Sequence, residues 1–154
     1  MHIDTSKLER GELIAIAGGL VLLIGLFIKW YESVSPLAEL AGKTGIGTYS
    51  GWDAHSLMRW VLVAAALAPL ILAWIIVRDH ELSWPRGQVT SVVAIAAFGL
   101  LFYNGIVDRP GEPSSQIELE WGWYVAVLGT ILMLVGSFRR QQETSAKRKP
   151  PGVV

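Results

Sequence analysis

Three residues near the middle of the chain, Asp53, His55 and Ser56, have the side chains of a catalytic triad. Their spacing is unsuitable, because side chains this close along one backbone rarely form the relay that activates a serine. The alternative interpretation is the start of a helix, with Asp53 or Ser56 as its cap and an exposed histidine between them. We favour the helix start and expect no catalytic residue and no enzymatic activity in this chain.

The histidines of the chain, His2, His55 and His80, do not have the spacing of a metal site. No HExxH pattern is present, and the topology predicted below places His55 across a membrane from the other two. The chain has no cysteine, which excludes a disulfide, a thiol nucleophile and a Cys-based metal site. We therefore expect neither a metal nor a cofactor.

Four long segments almost without charge dominate the 154 residues, of which 52% are hydrophobic and 17% charged. In the first, the sixteen residues from Leu13 to Ile28 carry no charge. A helix needs ~20 apolar residues to cross ~30 Å of hydrocarbon. The sequence therefore predicts membrane spans at about 12–31, 57–77, 87–107 and 119–138. A cleaved signal peptide is the alternative for the first segment, but no suitable pair of small residues follows it, so we expect a retained span.

The predicted fold class is all-α, an integral membrane antiparallel four-helix bundle over residues 1–140. The polar, basic residues 141–154 are predicted to be a disordered tail. In the loop 32–55, a short helix could occupy 36–41, opened by Ser35-Pro36 and ended by Gly42.

Two sequence patterns resemble capping boxes, in which a Ser is followed three residues later by a Glu. Ser6 with Glu9 predicts that the first helix begins near Lys7. Ser115 with Glu118 predicts that the fourth helix begins near Gln116.

The distribution of Lys and Arg predicts the orientation. If both termini share one side, that side holds nine basic residues and the other side holds four, namely Lys29, Lys43, Arg59 and Arg109. The positive-inside rule then places both termini in the cytoplasm of a plasma membrane protein. The basic residues of the tail could also lie on anionic lipid, although an ordinary topology signal explains them better.

Small residues recur along three of the predicted spans. Glycines recur every seven residues on spans one and four, which predicts a direct contact between these two helices. On span two, small residues four apart flank Pro69. The predicted helix-packing residues are Gly11, Gly18, Gly25, Gly122, Gly129, Gly136, Ala65 and Ala73.

Most tryptophans lie near the predicted outer interface. The simpler interpretation is an aromatic belt at the level of the lipid headgroups. The alternative is a recognition surface for a cell-envelope partner or a sugar-containing lipid, since the outer loops are also acidic. Both interpretations concern Trp30, Tyr31, Trp52, Trp60, Trp121 and Trp123.

The middle of each predicted span lacks an ionisable residue, whereas proton relays and ion-coupled transporters need one. Tyr103 and Asn104 on span three could line a polar pocket near the outer surface. Hydrogen bonding to a neighbouring helix is the commoner role of such residues, and we favour it.

Short motifs resemble a group of small four-span proteins of high-GC actinobacteria and relatives that are described as hypothetical membrane proteins. The matching positions are Arg10-Gly11-Glu12, Phe27 with Trp30-Tyr31, Trp52 with Ala54, and Asp108 with Pro110-Gly111. The chain departs from that group at Lys29, where the group often has proline. The resemblance implies a four-span architecture and a membrane location, and it implies no activity.

These observations lead us to expect a non-enzymatic membrane component that assists assembly, interacts with lipid or associates with the envelope. The alternative is a transporter of small solutes or lipids that acts as an oligomer, and a membrane enzyme is the third choice. The expected partners are membrane lipids and either another membrane or envelope protein or a second copy of the chain. Too few basic residues are present to suggest a nucleic-acid partner.

Overall fold

The computed structural model of the chain describes residues 8–78 and 87–147, with side chains described up to residue 145. The predictions that concern His2, His80 and residues 148–154 lie outside these ranges.

Within the described ranges, four helices are long and apolar enough to cross a membrane, as predicted. Three of them are α1 (Arg10–Phe27), α3 (Met58–Val77) and α5 (Trp121–Lys147). The remaining one consists of α4 (Gln88–Phe102) and a π-helical turn (Tyr103–Val107) that continues it. A single helical turn, α2 (Gly51–Ala54), precedes α3.

Both helix starts predicted from capping boxes are wrong. Helix α1 begins at Arg10 because Glu9 is its cap, and the Glu9 and Glu12 side chains form the reciprocal bonds of a capping box. Residues Ser114–Gln116 form a short 3₁₀ turn that leads into a strand, and α5 begins only at Trp121. At its other end α5 continues to Lys147, so residues 141–147 are helical and not disordered.

The prediction of an all-α fold is confirmed only in part: the structure is mostly helical, but it also contains two small sheets. Strand β1 (Lys29–Ser33) pairs antiparallel with both β4 (Gly47–Ser50) and β5 (Ile117–Leu119). Strand β1 follows α1 and lies between β4 and β5 in the sheet. It therefore connects the end of α1 to the segments that lead into α3 and α5. The predicted first span is therefore too long, since Trp30 and Tyr31 belong to β1 and not to α1.

Residues 36–41 do not form the predicted short helix. They contain a turn and strand β2 (Glu39–Leu40), which pairs with β3 (Lys43–Thr44). Ala41 and Gly42 between these strands both have positive φ, at 55° and 73°. Two such residues form the tight connection whose twist matches a hairpin, which explains why Gly42 lies at this position.

Each long helix packs against two others. Helix α1 contacts α5 and α3, and α4 contacts the same two helices. The strands lie at the end of the helices where α1 stops and α3 and α5 begin, which we name the sheet end. Gly11, Gly87 and Arg140 approach one another at the opposite end, which we name the termini end.

The backbones of α1 and α5 approach closely along both glycine series. A Cβ atom on Gly18 would lie 2.5 Å from the Met133 nitrogen, and one on Gly129 would lie 2.4 Å from the Leu22 nitrogen. Gly11 is similarly close to the Gly136 oxygen, and Gly25 to the Ala126 nitrogen. Gly122 lies against the backbone that follows α1, at Ile28. Ala65 and Ala73 are buried on α3.

We predict that Gly18→Leu lowers the free energy of unfolding by about 3 kcal/mol or more, since backbone atoms cannot yield to the added side chain. Gly99→Leu on α4 is the control, because a Cβ there meets nothing within 4 Å. The control should change stability by only about 1 kcal/mol. Thermal unfolding in detergent measures both, and equal melting temperatures for the two variants would contradict the close approach.

Candidate functional site

A buried aromatic cluster, formed by Trp30, Tyr31 and His55, lies beneath the sheet. Trp30 and Tyr31 are completely buried, although both side chains belong to a strand that follows a candidate membrane span. The His55 ring packs edge-on against both, with ring centroids 6.0 Å from Trp30 and 5.6 Å from Tyr31. The Trp30 indole donates a hydrogen bond to the Gly25 carbonyl, which ties the sheet to the last turn of α1.

A chain of hydrogen bonds crosses this cluster. The Tyr31 hydroxyl donates to the Asn104 carbonyl at 3.0 Å, and it lies 3.0 Å from the His55 Nε2. A phenol has one proton to donate, so the His55 Nε2 must carry a proton and donate to the Tyr31 oxygen. Burial lowers the pKa of His55 to about 4 and raises that of Tyr31. Both side chains are therefore neutral at pH 7, and the Tyr31 bond holds β1 against the π-helical turn that follows α4.

The π-helical turn supplies the acceptors for this arrangement. Its wider winding releases carbonyls from the regular helical ladder. The Asn104 carbonyl accepts from Tyr31, and the Gly105 carbonyl accepts from the Arg109 Nε at 2.9 Å. Arg109 also donates to the Ile117 carbonyl at 2.8 Å, which fixes β5. The Trp123 indole packs against Gly105 and donates to the Leu101 carbonyl.

The structure does not assemble a triad from Asp53, His55 and Ser56. The Ser50 hydroxyl caps the turn that contains Asp53 and donates to its carboxylate at 2.7 Å. The His55 ring instead contacts Tyr31. Sequence reasoning therefore missed the role of His55, which was predicted to be exposed and is 8% exposed.

The predicted aromatic belt or recognition surface divides into two groups. Trp30, Tyr31 and Trp123 are buried, so they can serve neither as a belt nor as a recognition surface. Trp60 and Trp121 are exposed and Trp52 is half-buried. Only these three remain available for contact with a lipid or a partner.

The structure does not bring Tyr103 and Asn104 together around a pocket. Tyr103 is exposed on the outside of its turn. The Asn104 amide donates to the Leu100 carbonyl of its own helix and lies 3.3 Å from the Met58 sulfur.

A second aromatic group lies on the surface at the sheet end. We name it the Arg59 cluster; it comprises Phe27, Trp52, Arg59 and Trp60. Phe27 stacks on Trp52 with ring centroids 5.2 Å apart, and Trp60 meets Trp52 edge-on at the same distance. The Arg59 guanidinium lies 4.9 Å from the Trp52 ring centroid and 5.8 Å from that of Trp60. Phe27 and Trp60 are each more than half exposed.

The termini end contains a buried charge cluster around Arg140, whose side chain is 6% exposed. Its guanidinium forms ion pairs with Glu9 and, at 3.0 Å, with Glu12. Glu143 lies at the edge, 3.9 Å away. Since Glu9 and Glu12 cap α1 and Arg140 belongs to α5, these ion pairs join the two helices. In the sequence, the only sign of this charge cluster was the spacing of Glu9 and Glu12 near a helix start.

A cavity of about 30 Å³ adjoins this cluster. Glu12, Thr90, Ser137 and Arg140 contribute polar atoms to its lining, and Pro69 contributes apolar surface. A space of this size accommodates one or two water molecules. In the described part of the chain, no three His, Asp or Glu side chains converge in a way that could hold a metal ion.

Replacing Arg140 with Met should destabilise the protein, because Glu9 and Glu12 would lose their shared partner. We expect a loss of roughly 2–4 kcal/mol, less than for a completely buried pair because Glu9 keeps some contact with water. Arg139→Met removes the same charge from an exposed neighbour and should have little effect. Chemical unfolding of both variants in detergent measures the difference, and equal stabilities would contradict a stabilising role for the ion pairs.

The pKa of His55 predicts a pH dependence of stability. Because the folded value of about 4 lies below the ordinary 6.5, the unfolded chain binds more protons between these pH values. Stability should therefore fall by roughly 3 kcal/mol as pH decreases from 6.5 to 4.

The matched variant for this prediction is His55→Gln, which can still donate to Tyr31 but does not titrate. Its overall stability should be lower, with a smaller loss between pH 6.5 and 4, as measured by unfolding across that interval. Parallel pH profiles for the two proteins would refute the assignment.

No protein-family model, no curated protein and no solved structure matches this chain. The resemblance to small four-span proteins therefore depends on its short motifs alone. A function must be inferred from the residues of the chain itself.

Proposed function

We propose that the chain is a non-enzymatic integral membrane protein whose four long helices form an antiparallel bundle in the plasma membrane. In this proposal the sheets form a folded cap outside the membrane, and the protein acts by interacting with lipid or with an envelope partner. The observation that carries the proposal is the outward-facing apolar surface of all four helices.

This surface is extensive and uninterrupted by charge. Large apolar side chains such as Ile24, Ile71, Ile95 and Leu128 are each more than half exposed. Water would make such surfaces adhere to one another, whereas hydrocarbon solvates them at no cost.

The folded cap favours a protein that interacts with partners at the membrane surface. It gives less support to a protein that carries out chemistry in an enclosed site. Tyr31 and His55 are buried and bonded to each other or to backbone, so they bind the cap to the helices. The exposed aromatic side chains Phe27, Trp60 and Trp121 lie at the helix ends next to the sheets. A solute path through a single copy of the chain is less well supported, because the cavity at the termini end has room for only one or two waters.

The proposed orientation places both termini in the cytoplasm and the sheet end outside. The fold is consistent with it, because the ends of α1 and α5 at Gly11 and Arg140 lie together and the strands lie at the opposite end. The excess of Lys and Arg is on the side of the termini, as the positive-inside rule requires.

The absence of native cysteine allows a direct test. Thr48→Cys on β4 and Ser145→Cys near the end of α5 each add one exposed thiol. In spheroplasts of a bacterial host, a membrane-impermeant maleimide should label position 48 at once, and position 145 only after permeabilisation. Both variants should stay with the membrane during carbonate washing and leave it only in detergent.

The unmodified chain is the control, since it has no thiol to label. Labelling of both positions in intact spheroplasts would overturn the bundle topology. Release of the chain by carbonate without detergent would overturn membrane insertion, and with it the proposed function.

A further inference from the structure

From the Arg59 cluster we infer a binding site for the phosphate group of a phospholipid in the outer leaflet. The inference depends on the proposed membrane location, because it requires the sheet end to lie at headgroup depth.

The first argument is that, within the part of the chain that the structure describes, the Arg59 charge has no counterion. Among the described residues, no carboxylate forms an ion pair with it, and the nearby Asp53 carboxylate accepts from Ser50. The guanidinium donates one hydrogen bond, from Nη1 to the Trp52 carbonyl at 3.3 Å. Its Nε is buried without an acceptor. A guanidinium has five donors, and the described chain accepts from one of them, so the Nη donors have capacity for an external acceptor.

The second argument is the position of this charge on its helix. Arg59 is the second residue of α3, at the end where the helix dipole is positive and disfavours a cation. No side chain caps this helix end. The local field is therefore positive from two sources and favours an anion, and phosphate is an anion that a planar guanidinium binds well.

The third argument identifies the source of the phosphate as a lipid. The guanidinium lies against both the Trp52 and the Trp60 ring. Phe27 stacks on Trp52, and Phe27 and Trp60 keep more than half of their surface exposed beside the cation. Phe27 is the last residue of α1 and Arg59 lies in the first turn of α3, so the cluster sits where two candidate spans end. Tryptophan prefers this depth of a bilayer, where the headgroup meets the acyl chains. A free phosphate ion would leave these apolar faces uncovered.

The test uses the full chain, purified in mild detergent and stripped of lipid. Native mass spectrometry would compare phosphatidylglycerol with monogalactosyl diacylglycerol, which has similar acyl chains but no phosphate. The unmodified protein should bind the phospholipid about tenfold more tightly, as expected for one charge-assisted interaction. Equal affinity for the two lipids would overturn the inference without any variant being needed, and tighter binding of the galactolipid would overturn it in favour of a sugar site.

Arg59→Gln should remove this preference, lowering phospholipid affinity about tenfold and leaving galactolipid affinity unchanged. Lys43→Gln is the matched control: it removes one exposed positive charge from β3, outside the Arg59 cluster, and should bind both lipids as the unmodified chain does. Arg59→Lys, which keeps the charge but loses the planar fork, should give an intermediate affinity and serves if the Gln variant does not fold.

A competition experiment with inorganic phosphate distinguishes a lipid phosphate from a free phosphate ion. If millimolar phosphate displaces the phospholipid completely, the site recognises a free anion and the lipid assignment is wrong. Should Arg59→Gln retain the phospholipid fully while the chain resists carbonate extraction, this inference fails and the proposed membrane function stands.

Discussion

The close approach of α1 and α5 determines the arrangement of the rest of the molecule. Glycines spaced by seven allow the two backbones to meet, with hypothetical Cβ positions at Gly18 and Gly129 less than 3 Å from the partner helix. Where no side chains separate two helices, dispersion contacts and weak backbone interactions hold them in any medium, including one that provides no hydrophobic driving force. This contact brings Arg140 to Glu9 and Glu12 at one end and β5 to β1 at the other.

The strands at the sheet end provide the backbone hydrogen bonds that the chain needs where α1 stops. Strand β1 follows α1 almost immediately, so its backbone needs hydrogen-bond partners close to the candidate span, and β4 and β5 provide them. The π-helical turn after α4 then presents carbonyls to Tyr31 and Arg109. Through these bonds, the cap is attached rigidly to three helices, and the aromatic residues that remain exposed have fixed positions.

Sequence patterns revealed the long helices because uncharged runs of this length are typical of membrane spans and rare in water-soluble domains. The glycine spacing gave the α1–α5 pairing. The pairing of the strands could not be predicted, since they are only two to five residues long and β1 follows the apolar helix α1 almost directly. At the end of an apolar run, Trp30-Tyr31 is typical of an aromatic belt at the membrane surface. Only the strands that pair with β1 show that both side chains are buried. Ser115-x-x-Glu118 fits a capping box, but Ile117 is completely buried in β5, and this burial determines the local structure.

Arg140 at the termini end and Arg59 at the sheet end have the same side chain in different environments. The difference suggests a structural role for Arg140 and a binding role for Arg59. Arg140 is buried, and its charge is balanced by carboxylates of another helix, so its interactions are already made within the chain. Arg59 is also constrained by packing, yet the aromatic rings that hold it neutralise none of its charge. Fixing an unpaired guanidinium beside a positive helix end costs stability. A partner that brings an anion recovers that cost upon binding, and at the proposed membrane location that anion is the lipid phosphate.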